Sequence, residues 1–118
     1  MTNVEEQLDF IRIYDPEGAD KLKRLLDRKP ALKEGNVYGE KFTDRQFSLV
    51  FDPVLRVSVE KARILEVLSG GENTIMGLSS KLGLKENTVF GHIKDLMRRN
   101  FVEIAGHEGR NAIFRKKL

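Results

Sequence analysis

The chain has 118 residues, 40% hydrophobic and 33% charged, with a formal net charge of +3; this balance fits a soluble globular domain and excludes a disordered chain. It contains no cysteine, which closes disulfide frames, thiolate zinc sites, iron–sulfur ligation and cysteine nucleophiles. No run approaches the ~18 apolar residues of a membrane span, and "MTNVEEQLDF" has neither the basic nor the apolar region of a signal peptide, so a cytoplasmic location is expected.

Val4, Leu8 and Ile11 form a short amphipathic stripe near the start. In "DPEGADKLKRLLDRKP" Asp15 is a cap, Pro16 suits the first helical position and Pro30 stops the helix, with Ala19, Leu22, Leu25 and Leu26 on one apolar face. Acidic Asp20 and Asp27 are interleaved with Lys21, Lys23, Arg24, Arg28 and Lys29, the pattern of a solvated face. The pair of helices reads as a hairpin or a dimerisation arm.

Between residues 31 and 58 the pattern is ambiguous. "FTDRQFSLVFDP" suits a helix, with Thr43 and Gln46 in capping-box register and Phe47, Val50 and Phe51 on one side; it equally suits a strand, with Phe47, Leu49 and Phe51 alternating. On either reading Asp52-Pro53 ends the element, and "LRVSV" then alternates Leu55, Val57 and Val59.

The second half is clearer. "VEKARILEVLSGG" places Val59, Ala62, Leu65 and Leu68 on one helical face and stops at Gly70-Gly71. "NTIMGLSSKLG" begins at Asn73 or Thr74 as cap, buries Ile75, Leu78 and Leu82, and turns at Gly83. "KENTVFGHIKDLMRRNF" is a longer helix, ending near Asn100, that buries Val89, Ile93, Leu96 and Met97. Val102 to Ala105 and Ala112 to Arg115 then alternate around a Gly-rich polar turn, a β-hairpin signal.

The outward face of the longer helix is unusual. At about 100° per residue from Val89 it carries Asn87, Gly91, Lys94 and Arg98, flanked by Phe90 and Asp95. A glycine at its centre costs roughly 1 kcal/mol against alanine. Charge is also asymmetric: residues 1–58 hold 10 basic and 11 acidic side chains, residues 59–118 hold 11 and 7. The basic excess in the second half fits a polyanionic partner.

Helix, short helix, Gly-containing turn, longer helix and hairpin is the order of a winged helix-turn-helix. Such a helix fills the DNA major groove, and Arg110 and Asn111 on the hairpin lie where phosphate or the minor groove is reached. "TIMGLSSKLGLKENTVFGHIKDLMRRNFVE" resembles the core of bacterial and archaeal winged-helix repressors of the ArsR type. The match runs through Leu78, Leu82, Gly83, Leu84, Thr88, Val89, His92, Ile93 and Leu96. "FDPVLRVSVEKARILEVL" is similar to that family's upstream segment but stretched between Pro53 and Ile64; the resemblance covers about residues 52–118, and residues 1–50 have no counterpart in it.

The resemblance implies DNA contacts at Asn87, Thr88, Phe90, Gly91 and Lys94 and at the hairpin turn. Asn87 suits bidentate reading of adenine, Lys94 and Arg98 suit phosphate, and Phe90 suits a thymine methyl. Lys85, at the helix start, completes the candidate set; it replaces the family's serine-like cap, which would allow the helix to begin at Asn87. Two readings stay open for Phe90, DNA contact or packing against the N-terminal helices, and two for Gly91, close approach of a ligand or tight helix packing. Asp95 and Glu86 would repel phosphate if they face it.

The cysteine pairs through which many ArsR-type proteins sense metals are absent, so no metal sensing and no cofactor are expected. His92 sits beside the core stripe and reads as a packing residue, and His107 with Glu103 and Glu108 is a weak ligand cluster. No nucleophile–base pair or P-loop occurs, and "LSGGENT" lacks the lysine such a loop requires, so no catalytic residue is assigned and an enzyme is not expected.

The expected fold is mainly α with a small β-hairpin: a helical extension over residues 1–51, supplying a dimer contact or effector pocket, and a winged helix-turn-helix domain over 52–118. The expected function is a homodimeric DNA-binding transcriptional regulator, with helix 85–100 in the major groove of double-stranded DNA and the hairpin wing, 102–116, beside it. The alternative is a winged-helix protein-interaction module or accessory subunit that does not bind DNA.

Overall fold

A computed structural model describes residues 3–29 and 43–117. The expected helix stop at Pro30 lies outside the described residues. Those described form five helices and a three-stranded antiparallel sheet: α1 (Val4–Tyr14), α2 (Pro16–Asp27), α3 (Asp44–Ser69), β1 (Asn73–Thr74), α4 (Ile75–Leu82), α5 (Glu86–Arg98), β2 (Val102–Glu108) and β3 (Asn111–Lys116). The chain divides into two compact units, Met1–Val59 and Glu60–Leu118. None of the described helices is long and apolar enough to cross a membrane.

In the first unit, α1 and α2 form where the pattern places them. Asn3 caps α1 by accepting from the Glu6 backbone N–H at 2.8 Å. Asp15 serves both helices, closing α1 through its own N–H to the Ile11 carbonyl and opening α2 by accepting from the Gly18 N–H at 3.0 Å. Pro16 follows at the first helical position, where a missing N–H costs nothing. Leu8, Ile11, Ala19 and Leu22 are buried, and Lys23 reaches Glu5 at 3.7 Å and Asp27 at 3.3 Å across the solvated face.

Helix α3 resolves the described part of the ambiguous stretch, residues 43–58; residues 31–42 lie outside the described residues. Thr43 and Gln46 form a reciprocal capping box, the Thr43 hydroxyl accepting from the Gln46 N–H (3.1 Å) and the Gln46 carboxamide from the Thr43 N–H (2.9 Å). Phe47, Phe51 and Leu55, four residues apart, are all buried, whereas Leu49, which a strand would turn inward with Phe47 and Phe51, is 67% exposed. Val50 is exposed too, off the face expected for it. Two expectations fail here. Asp52-Pro53 does not end the element, and "LRVSV" is helical, because α3 runs without a break to Ser69 with Pro53 inside it. Pro53 has no N–H to offer the Leu49 carbonyl, but its ring sits on the exposed side of the helix.

In the second unit, Ala62, Ile64, Leu65 and Leu68 of α3 are buried, as are Leu78 of α4, Val89, Ile93 and Leu96 of α5, and Val102 and Phe114 of the sheet. Thr74 caps α4 by accepting from the Gly77 N–H. Gly83 closes α4 at φ 67°, a left-handed conformation that favours glycine, and its N–H returns to the Ser79 carbonyl. The Ser79 hydroxyl donates to the Leu84 carbonyl at 2.5 Å, which ties the turn between α4 and α5. At its far end α5 stops in a Schellman arrangement: Asn100 takes φ 65°, its N–H bonds the Met97 carbonyl and the Phe101 N–H bonds the Leu96 carbonyl.

The hairpin forms as expected, with strands longer than the alternation suggested and an irregularity in register between Ile104 and Gly106. Strand β1 carries no signal in the residue pattern. It pairs antiparallel with β3, Asn73 opposite Phe114 and Thr74 opposite Ile113, so the sheet order is β1-β3-β2.

Candidate nucleic-acid interface

Helix α5 begins at Glu86, with Lys85 at the capping position, so the start at Asn87 does not hold. Lys85 makes no side-chain cap bond; its extended backbone (φ −65°, ψ 146°) and its carbonyl, which accepts from the Val89 N–H, start the helix instead. Glu86 in the first turn complements the positive end of the helix dipole. Burial of Val89, His92, Ile93 and Leu96 fixes the rotation of α5, and that rotation turns Asn87, Phe90, Lys94 and Arg98 to the outside.

Phe90 is 50% exposed. The Lys94 ammonium lies 5.1 Å from its ring centroid, so cation and ring form one exposed unit. Gly91 lies between them in sequence, and a Cβ added there would meet nothing within 4 Å. The contrast with Gly77 is direct, since a Cβ at that position would fall 1.9 Å from the Asn73 amide oxygen. Packing among the described residues therefore accounts for Gly77 and does not account for Gly91.

The two acids flagged as repulsive have different surroundings. Asp95 does not stand uncompensated: Lys61 of α3 reaches its Oδ2 at 3.2 Å, and Arg98 donates to its Oδ1. The Lys61 hydrogen bond, together with the charges of Lys61 and Arg98, holds the Asp95 carboxyl below the ordinary carboxylate range. Glu86, by contrast, is exposed in the first turn.

His92 is a packing residue, 8% exposed, with Nε2 2.8 Å from Glu60 Oε1. Glu60 and Lys61 are consecutive on α3, His92 and Asp95 are three apart on α5, and the two pairs fix these helices in register. Neither Glu60 nor Lys61 figured among the sequence candidates. Their segment looks like any solvated helix face, and partners 32 and 34 positions away leave no local signal.

On the hairpin, Arg110 and Asn111 are exposed beside Gly109, whose φ of 62° makes the tight turn. Glu103 faces its cross-strand neighbour Arg115 at 3.4 Å. His107 is exposed, and among the described residues no group of three side chains is placed to hold a metal ion. The structure thus gathers Asn87, Phe90, Gly91, Lys94 and Arg98 along α5, puts Lys85 at its start and half-buried Thr88 on its edge, and leaves Arg110 and Asn111 on the hairpin turn.

Comparison with protein-family models, with curated proteins and with solved structures returns no match.

Proposed function

We propose that the chain is a DNA-binding transcriptional regulator of winged helix-turn-helix type, related to ArsR-like repressors but without metal sensing. Its α5 enters the major groove, and the β2–β3 hairpin acts as the wing. The observation that carries this reading is Gly91: an interior helical glycine, on an outward face, with open space where its side chain would be. A position that costs helix stability and serves no internal packing is accounted for by a ligand that approaches the backbone closely. Exposed Lys94 and Arg98 on the same face supply the cations that a phosphate backbone requires.

On this reading Asn87, Thr88 and Phe90 face base edges, Lys85, Lys94 and Arg98 face phosphates, and Arg110 and Asn111 reach the flanking backbone. A homodimer in the cytoplasm would double the contact by reading two half-sites. Exposed Leu49, Val50 and Val54 on α3 offer it an apolar row.

Fluorescence anisotropy with mixed-sequence duplex DNA at two salt concentrations tests the reading. Affinity should fall steeply as salt rises, and Lys94→Ala with Arg98→Ala should reduce the slope of log K against log salt by about 1 per lost phosphate contact. If no duplex binds at low salt, while Phe90→Ala abolishes capture of a protein partner, the protein-interaction reading replaces it.

A further inference from the structure

The charge balance of the α5 surface depends on a residue that is not on it. Asp95 flanks the outward row, beside Lys94 in sequence and one turn before Arg98, and its side chain is 38% exposed, so its charge is felt by whatever docks there. An uncompensated carboxylate at that position would act over a Debye length of about 10 Å at 0.1 M salt, some two turns of helix in either direction. Lys61 offsets that charge: its ammonium takes Oδ2 at 3.2 Å, while Arg98, its side chain 74% exposed, pairs with Oδ1. Lys61 itself is 18% exposed, on α3 rather than α5, and so is poorly placed to touch a docked partner.

We infer that Lys61 is an electrostatic positioning residue for the nucleic-acid face: by neutralising Asp95 from behind, it removes a repulsive charge from the docking surface. The Glu60–His92 pair one residue earlier has a different task, since it lies in the packed layer between the helices and fixes their register. The same Lys61 contact holds the Asp95 carboxyl below its ordinary range. This inference rests on the DNA-binding reading of α5, and it adds a residue that neither base nor backbone contact would identify.

The test compares the full-length wild type with Lys61→Met, Lys61→Arg, Asp95→Asn and the double variant Lys61→Met/Asp95→Asn, by anisotropy on one mixed-sequence duplex at about 50 and about 300 mM salt. Thermal melts run alongside. Lys61→Met should weaken binding about fivefold at the lower salt, a gap closing to less than twofold at the higher, because an exposed carboxylate is screened there. Lys61→Arg should bind like wild type. The double variant should match Asp95→Asn within about twofold, since Lys61 has no task once the acid is gone. That last comparison holds even if Lys61→Met alone folds poorly, because neither of its members carries an unpaired Asp95. A loss that is the same at both salts, or a double variant markedly weaker than Asp95→Asn, overturns the inference and assigns Lys61 to the fold. Failure of the wild type to bind any duplex at low salt overturns the DNA-binding reading itself, a result distinct from the other two.

Discussion

Gly91→Ala separates folding from function with one methyl group. Gly91 is in the interior of the 13-residue helix α5, where glycine costs close to 1 kcal/mol relative to alanine. The added Cβ meets no atom of the described residues within 4 Å, so no clash offsets this gain and the variant should be more stable by ~1 kcal/mol. For a domain of this size that is a rise in melting temperature of about 4 °C. Binding should move the opposite way. A methyl needs about 3.5–4 Å to any carbon it faces, and a helix backbone seated against phosphate or a base edge has no such room. Loss of one close backbone approach should raise Kd about tenfold, or ~1.4 kcal/mol. Circular-dichroism melts and anisotropy at fixed salt read the two effects separately. A variant that melts higher and binds DNA as well as wild type would refute the argument that the open glycine exists for a ligand. A variant that melts lower would refute the geometry from which the argument starts.

Other outcomes follow from the same structure. Pro53→Ala should stabilise the protein by an amount on the order of 1–3 kcal/mol, since it restores the N–H that the Leu49 carbonyl lacks in the middle of α3; urea unfolding measures it. Asp95→Asn should flatten the acid limb of stability against pH. The native carboxyl is held below its ordinary value of 3.8, so the ionised form favours the fold; that contribution is complete above the unfolded pKa and is lost as pH falls below 3.8 through the lowered native one. Melts of wild type and variant between about pH 2.5 and 6 should therefore converge at the acid end. Phe90→Ala should change stability by less than about 1 kcal/mol, because the ring is half exposed, yet it removes the platform on which Lys94 lies. A large drop in melting temperature would show the ring to be a core residue instead.

Several features are set by local chemistry and can be read from neighbouring residues alone. Asp15-Pro16, Thr43 with Gln46, Thr74 with Gly77, and Gly83 each place a helix end through bonds that span no more than four positions. The stripe Val89, Ile93, Leu96 likewise fixes which side of α5 is buried, and so which side carries Asn87, Gly91, Lys94 and Arg98.

Other features depend on burial and on distant partners. Between residues 43 and 59 two periodicities coexist, and the choice fell to the helix because it buries Phe47, Phe51 and Leu55 together, a gain large enough to carry Pro53 within the element against its local preference. Strand β1 is two residues long and exists only because β3 offers it an edge. The state of Asp95 is of the same kind: adjacent residues show a carboxylate in a basic row, and only the packing of α3 against α5 brings the Lys61 ammonium to it. Sequence by itself determined the helix ends set by Asp15-Pro16, Thr74 and Gly83 and the inward face of α5, because capping and periodicity act within a turn or two. Tertiary structure decided which of two local solutions prevailed and which charges were cancelled, because burial and Coulomb energy depend on distance in space, and the order of residues along the chain does not record it.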